Sequence, residues 1–80
     1  MRLDKFLKVS RLIKRRTVAN DAADAGRVSL NGKVAKASAE VSLGDIIEIR
    51  FGSTTTKVEV LSIKENPRKE EASQMYETRP

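Results

Sequence analysis

Neither cysteine nor histidine occurs in these 80 residues. Without thiolate or imidazole there is no disulfide framework, no thiolate or imidazole zinc site, and no Ser-His-Asp or Cys-His catalysis. The missing cysteine fits a reducing compartment. Tryptophan is missing too, and the aromatics are limited to Phe6, Phe51 and Tyr76. Phe6 and Phe51 fall on expected core faces, which leaves no stacking platform of the kind single-strand readers use. No apolar run follows the opening Met-Arg-Leu-Asp-Lys as in a signal peptide, and none approaches the roughly 18 residues of a membrane span. The expectation is a cytoplasmic chain with no membrane partner. Asp4, Asp21, Asp24 and Asp45 fall on expected helices or turns, with no thiol or imidazole to couple to. The four glycines punctuate turns, and no G-x-x-x-x-G-K-[ST] run cradles a phosphate. The chain therefore reads as a non-enzyme with neither cofactor nor metal.

What is there is charge in one place. Sixteen Lys or Arg stand against eleven Asp or Glu, a formal +5. Residues 1–16 hold Arg2, Lys5, Lys8, Arg11, Lys14, Arg15 and Arg16 against Asp4 alone, a local +6; residues 17–80 sum to −1. A near-neutral body with one basic face is the footprint of a polyanion binder. Leu, Ile, Val and Phe together make up 20 of the 80 residues. That share lies above the roughly 20% line below which charged chains stay disordered. A domain this small has little core to give up to an enclosed active site. Binding on the outer surface is the better expectation.

The spacing of Leu3, Phe6, Leu7 and Ser10 predicts an amphipathic helix over 3–12, with Asp4, Lys5, Lys8 and Arg11 facing outward. Lys14-Arg15-Arg16 interrupts it, and Thr17 offers a cap for a second helix. Val18, Ala19, Ala22 and Ala25 give that helix a small-residue face, and Gly26 is placed to end it in the left-handed region. Asn31-Gly32 between Val28-Ser29-Leu30 and Lys33-Val34-Ala35 is a strong hairpin signal. Leu43-Gly44-Asp45 is a further turn. Ile47, Ile49 and Phe51 alternate with polar residues as a half-buried strand does. Val58–Ile63 reads as the last strand, with a bulge where its inward face switches near Leu61. The expected division is a domain over 1–63 and a charged tail over 64–80, weakly docked or disordered, with one or two helical turns between Lys69 and Glu77. The fold class is α+β: two helices packed on a small, mostly antiparallel sheet.

Arg15 and Arg16 at the start of the second helix suit a phosphate, because helix amides and guanidinium forks both favour an anion there. Arg2, Asp4 and Lys5 form the first turn of the other helix, so both elements border one groove. Asp4 is expected to cap that turn or to pair with Arg2 or a nearby arginine. Lys33 and Lys36 flank the hairpin and are open to backbone contact.

Arg2-Leu3-Asp4-Lys5-Phe6-Leu7, Arg16-Thr17-Val18-Ala19, Gly26-Arg27-Val28-Ser29-Leu30-Asn31-Gly32-Lys33 and Gly44-Asp45-Ile46-Ile47 together resemble the S4 RNA-binding domain over about residues 1–52. Among stand-alone members the chain is similar to the fifteen-kilodalton heat-shock family and to the short RqcP-like quality-control family. Arg11, Lys14, Arg16 and the tail segment Glu71-Ala72-Ser73-Gln74-Met75-Tyr76-Glu77 fit both. Lys8 stands where the heat-shock type has tryptophan, and the long basic extension of that type is missing, so the RqcP-like resemblance is the stronger. It implies a monomer with the S4-type αL fold that binds 23S rRNA and peptidyl-tRNA on an obstructed large ribosomal subunit. It also implies a tRNA-recruiting RqcH-like partner that adds alanine tails. The family's RNA contacts fall on Arg2 and Arg16; Lys5, Lys14 and Arg15, with Arg11 and Lys33, are added partly on charge. The alternatives are a heat-shock-type rescue factor that supports no tailing, a basic protein-interaction adaptor, and a catalytic role, since related domains are appended to RNA-modifying enzymes and a tRNA synthetase. Eighty residues are expected to leave no room for such a second domain.

Overall fold

The computed structural model describes all 80 residues. Leu3, Phe6 and Leu7 are wholly buried and drive α1 (Leu3–Val9) onto the sheet. Its first amides are taken up by a loop, Leu3 N–H donating to the Ala39 carbonyl (2.8 Å) and Asp4 N–H to that of Ala37 (3.1 Å). The helix stops three residues short of the expected Leu12. Ser10 is buried, its hydroxyl donating back to the Leu7 carbonyl at 3.3 Å, and Arg11 adopts φ 66°. That reversal lets Ile13 reach the core, with its amide on the Leu7 carbonyl.

α2 (Arg16–Asp24) starts two residues earlier than a Thr17 cap implies: Arg15 is the extended residue at the N-cap, and no side chain caps the helix. Ala19, Ala22 and Ala23 are buried, whereas Val18 and Ala25, expected on the same face, are exposed. At about 100° per residue both lie far around the helix from Ala19, beyond the narrow stripe that the i, i+3, i+4 positions define. Gly26 closes α2 at φ 80°, its amide on the Ala23 carbonyl and the next amide, Arg27, on that of Ala22. This is the left-handed termination expected there.

Beyond Gly26 the chain forms β1 (Val28–Leu30), β2 (Lys33–Val34), β3 (Ile46–Phe51), β4 (Thr54–Val60), a short α3 (Lys69–Ala72) and β5 (Tyr76–Arg79). The five strands make one antiparallel sheet in the order β2-β1-β3-β4-β5. Asn31 (φ 53°) and Gly32 form the two-residue hairpin turn. Asn31 also accepts the Ile46 amide and donates to Asp45, whose other oxygen receives the Ser42 amide, so the two turns are tied together.

β4 ends at Val60, earlier than expected. The amides of Leu61 and Ser62 both donate to the Met75 carbonyl (2.8 and 3.2 Å), two residues against one, and Leu61 turns outward. The final strand is supplied by the tail instead. Helical turns reach only from Lys69 to Ala72, after which Met75 is fully buried and Tyr76–Arg79 pairs along β4. Four residues are too few to show a period, so this strand is specified by the open edge it covers.

The core lies between the inward face of the sheet (Val28, Ile47, Ile49, Val58) and the two helices. Phe51 was expected to extend that face. It is 42% exposed, at the rim beside Val18, Asp21 and Ala22 of α2, where no large side chain covers it. No helix is long and apolar enough to cross a membrane.

Candidate nucleic-acid interface

The site is built on an acid that faces inward. Asp4 was expected among the outward charges of α1, but it is 2% exposed. Its Oδ1 accepts from Arg2 Nε (3.2 Å), Arg16 Nη2 (3.4 Å) and the Lys5 amide (2.8 Å); its Oδ2 accepts from Arg2 Nη2 (3.4 Å) and Asn20 Nδ2 (3.2 Å). Burial raises the carboxyl's pKa. The donors from Asn20, Arg16, Arg2 and the Lys5 amide together outweigh it and hold the group below 3.8. Pairing of Asp4 with Arg2 and a nearby arginine agrees with the sequence expectation. The partner missed by it is Asn20, for which the signal was present: Asn20 lies four residues after Arg16, on the same face of α2.

One carboxylate shared between two guanidiniums leaves a net positive charge. Each arginine offers five N–H donors and engages only one or two of them here, and both side chains are about half exposed. Asp4 thus anchors the arginines and leaves the rest of each fork facing solvent. Beside them, the first amides of α2, at Arg16, Thr17 and Val18, meet no acceptor within the chain. Asp4, Arg16, Thr17, Asn20 and Asp21 line a concavity of about 310 Å³ at this helix start. An oxyanion there would meet guanidinium and amide donors together.

A second basic group lies where α1 ends. Lys8, Arg11 and Lys14, with Ile13, line a concavity of about 350 Å³ that includes no carboxylate. None of the three cations takes part in an ion pair. Arg11 holds its place in the left-handed region, where a residue with a Cβ is strained. Lys8 completes this group; the sequence places it in the basic face but not among the RNA-contacting candidates. Arg15, at the N-cap of α2, is exposed and unpaired.

The remaining candidates are less gathered. Lys5 is one-third exposed, and its ammonium pairs with Glu65, a contact that holds the Glu65 carboxyl below its usual range. Lys33 is exposed on β2 and lines neither concavity. The structure therefore brings Arg2 with Arg16, and Arg11 with Lys14, and leaves Lys33 apart.

Residues 1–47 match the family model described as S4 domain. The chain is 58% identical over 76 residues to the "RQC P-site tRNA stabilizing factor" of Bacillus subtilis, covering 95% of this chain and 88% of that protein. It is 57% identical to the protein of the same name from Halalkalibacterium halodurans, over 99% of this chain and 90% of that one. Among solved structures, the trimeric Heat Shock Protein 15 of Vibrio cholerae superposes with a TM-score of 0.90 at 34% identity, covering 99% of this chain and 81% of that one. A buried acid orienting two arginines at paired helix starts thus occurs here on the fold these proteins share, and the chain belongs to the S4 domain family, among the RQC P-site tRNA stabilizing factors.

Proposed function

We propose that this chain is a non-enzymatic RNA-binding factor of ribosome-associated quality control, acting as a single copy in the cytoplasm. It binds 23S rRNA and peptidyl-tRNA on the obstructed large subunit. In doing so it supports C-terminal alanine tailing by an RqcH-like partner. The observation that carries this reading is the Arg2–Asp4–Arg16 cluster, which presents two oriented guanidiniums beside the open amides of α2. The names of the relatives, RQC P-site tRNA stabilizing factor, support the quality-control and tRNA-binding part of this reading.

The mechanism is electrostatic. Phosphates of shaped RNA replace solvent around Arg2 and Arg16, with Arg15 and the Lys8–Arg11–Lys14 group extending the grip. Each phosphate neutralised releases counterions, so affinity falls by roughly 0.7 to 0.9 log units per log unit of salt. Orientation comes from Asp4, which holds both arginines before RNA arrives and so lowers the entropy lost on binding.

Co-sedimentation with large subunits tests the site. The Arg16→Glu protein, folded by circular dichroism, should no longer sediment with the subunit; unchanged sedimentation rejects the assignment. The likeness to the Vibrio protein favours one rival, a rescue factor without a tailing role. Loss of alanine tails in cells lacking this protein supports the first reading, and intact tailing supports the rival. A protein-only adaptor complex would survive RNase treatment, whereas the complex proposed here would not.

A further inference from the structure

Phe51 is the one large aromatic side chain that the fold leaves open beside α2. Its ring shares a concavity of about 290 Å³ with Val18, Ala22 and Ala25, and with Asp21 and Arg27. Val18 and Phe51 are each more than two-fifths exposed. The alanines keep the floor shallow, so a flat ring can lie against it. The volume is at the lower limit of small-ligand cavities, roughly 300 Å³ upward, which suits a single ring system. Phe51 closes β3 opposite Thr54 across the Gly52–Ser53 turn, so its position is held by the hairpin.

Charge points to what the ring belongs to. Arg27 takes part in no ion pair and lines the neighbouring hollow together with Arg50 and Glu48. Asp21 lines both this concavity and the Arg16 concavity, so the two adjoin along α2. A strand whose phosphate meets Arg16 can therefore turn a base toward Phe51, with Arg27 beside the next phosphate. The Asp21 carboxylate is an acceptor for the amino group of a base. A protein partner fits less well, because two exposed large apolar side chains are far fewer than a stable interface uses.

We propose that Phe51, Val18 and Ala25, bordered by Asp21 and Arg27, form a stacking site for one unpaired RNA base adjoining the Arg2–Arg16 phosphate site. The proposal rests on the RNA-binding reading above and specifies that part of the bound RNA is single-stranded.

The test compares two RNAs of equal phosphate count: a hairpin with an unpaired loop containing 2-aminopurine, and a blunt fully paired duplex. Phe51→Leu should lower affinity for the hairpin at least about fivefold, the low end for a base stacked on an aromatic ring, and leave the duplex unchanged. Phe51→Trp should bind both RNAs as the unaltered protein does, and 2-aminopurine fluorescence should be quenched on binding wherever a ring is present. Hairpin affinity unchanged in Phe51→Leu overturns the proposal and is the result expected if the concavity takes a protein side chain. Equal loss on both RNAs, or no recovery with tryptophan, also overturns it. Arg16→Glu should weaken both RNAs alike, which separates the two sites. If the unaltered protein binds neither RNA, the RNA reading fails and this site with it.

Discussion

Asp4 shows why a single residue resisted placement by periodicity. On the helical wheel it falls among the charges, yet it is buried, because Arg2, Arg16 and Asn20 converge on it from two elements. Its hydrogen bonds to charged groups make truncation costly: Asp4→Ala should lower unfolding free energy by about 2–3 kcal/mol and weaken RNA binding by releasing both arginines, measurable by urea unfolding and by subunit binding. The lowered carboxyl pKa adds a pH signature. A group depressed on folding contributes stability that is present above its unfolded value, near 3.8, and lost as pH falls through the folded value. Unfolding free energy measured from pH 7 to pH 2 should therefore decline below about pH 4, and Asp4→Asn should remove part of that decline. Arg11 makes the opposite trade. Its φ of 66° suits glycine, so Arg11→Gly should raise stability by about 0.5–1 kcal/mol while weakening RNA binding. A variant that is neither more stable nor weaker in binding would remove Arg11 from the interface.

Elements were legible where the signal was local. The α1 stripe of Leu3, Phe6, Leu7 and Ser10, the Asn31-Gly32 hairpin and the Gly26 stop all stand in the structure as their residue types imply. What failed depended on distant partners. Nothing in Tyr76-Glu77-Thr78-Arg79 declares a strand; the free edge of β4 does, and it lies sixteen residues or more upstream. Phe51 alternates properly with Ile47 and Ile49, but whether the last position on a face is covered depends on the helix above it. The tail's helix and strand meet around Met75, which is fully buried. Met75→Ala should cost about 2–5 kcal/mol, and in a domain of this size each kcal/mol moves the midpoint by roughly 4–8 °C. Thermal unfolding followed by circular dichroism measures it. A change of only a degree or two would mean that α3 and β5 contribute little to the fold.

At the scale of the whole molecule, charge is separated from structure. The first sixteen residues carry the positive excess, while the outer face of the sheet balances Lys57 against Glu48 and Arg79 against Glu59. The cations of the candidate site were legible from composition along the chain, because clustering in sequence became clustering on two short, adjacent helices and the loop that joins them. Their orientation was not legible, since it is set by the shared contact with Asp4 across the α1–α2 packing. The central claim is that Arg2 and Arg16, held by that acid, each meet phosphate on the large subunit. The most direct measurement is the salt dependence of subunit binding for the unaltered protein, Arg2→Ala and Arg16→Ala. Each substitution should reduce the slope of log affinity against log salt by roughly 0.7 to 0.9; slopes that stay the same in both variants would contradict the account.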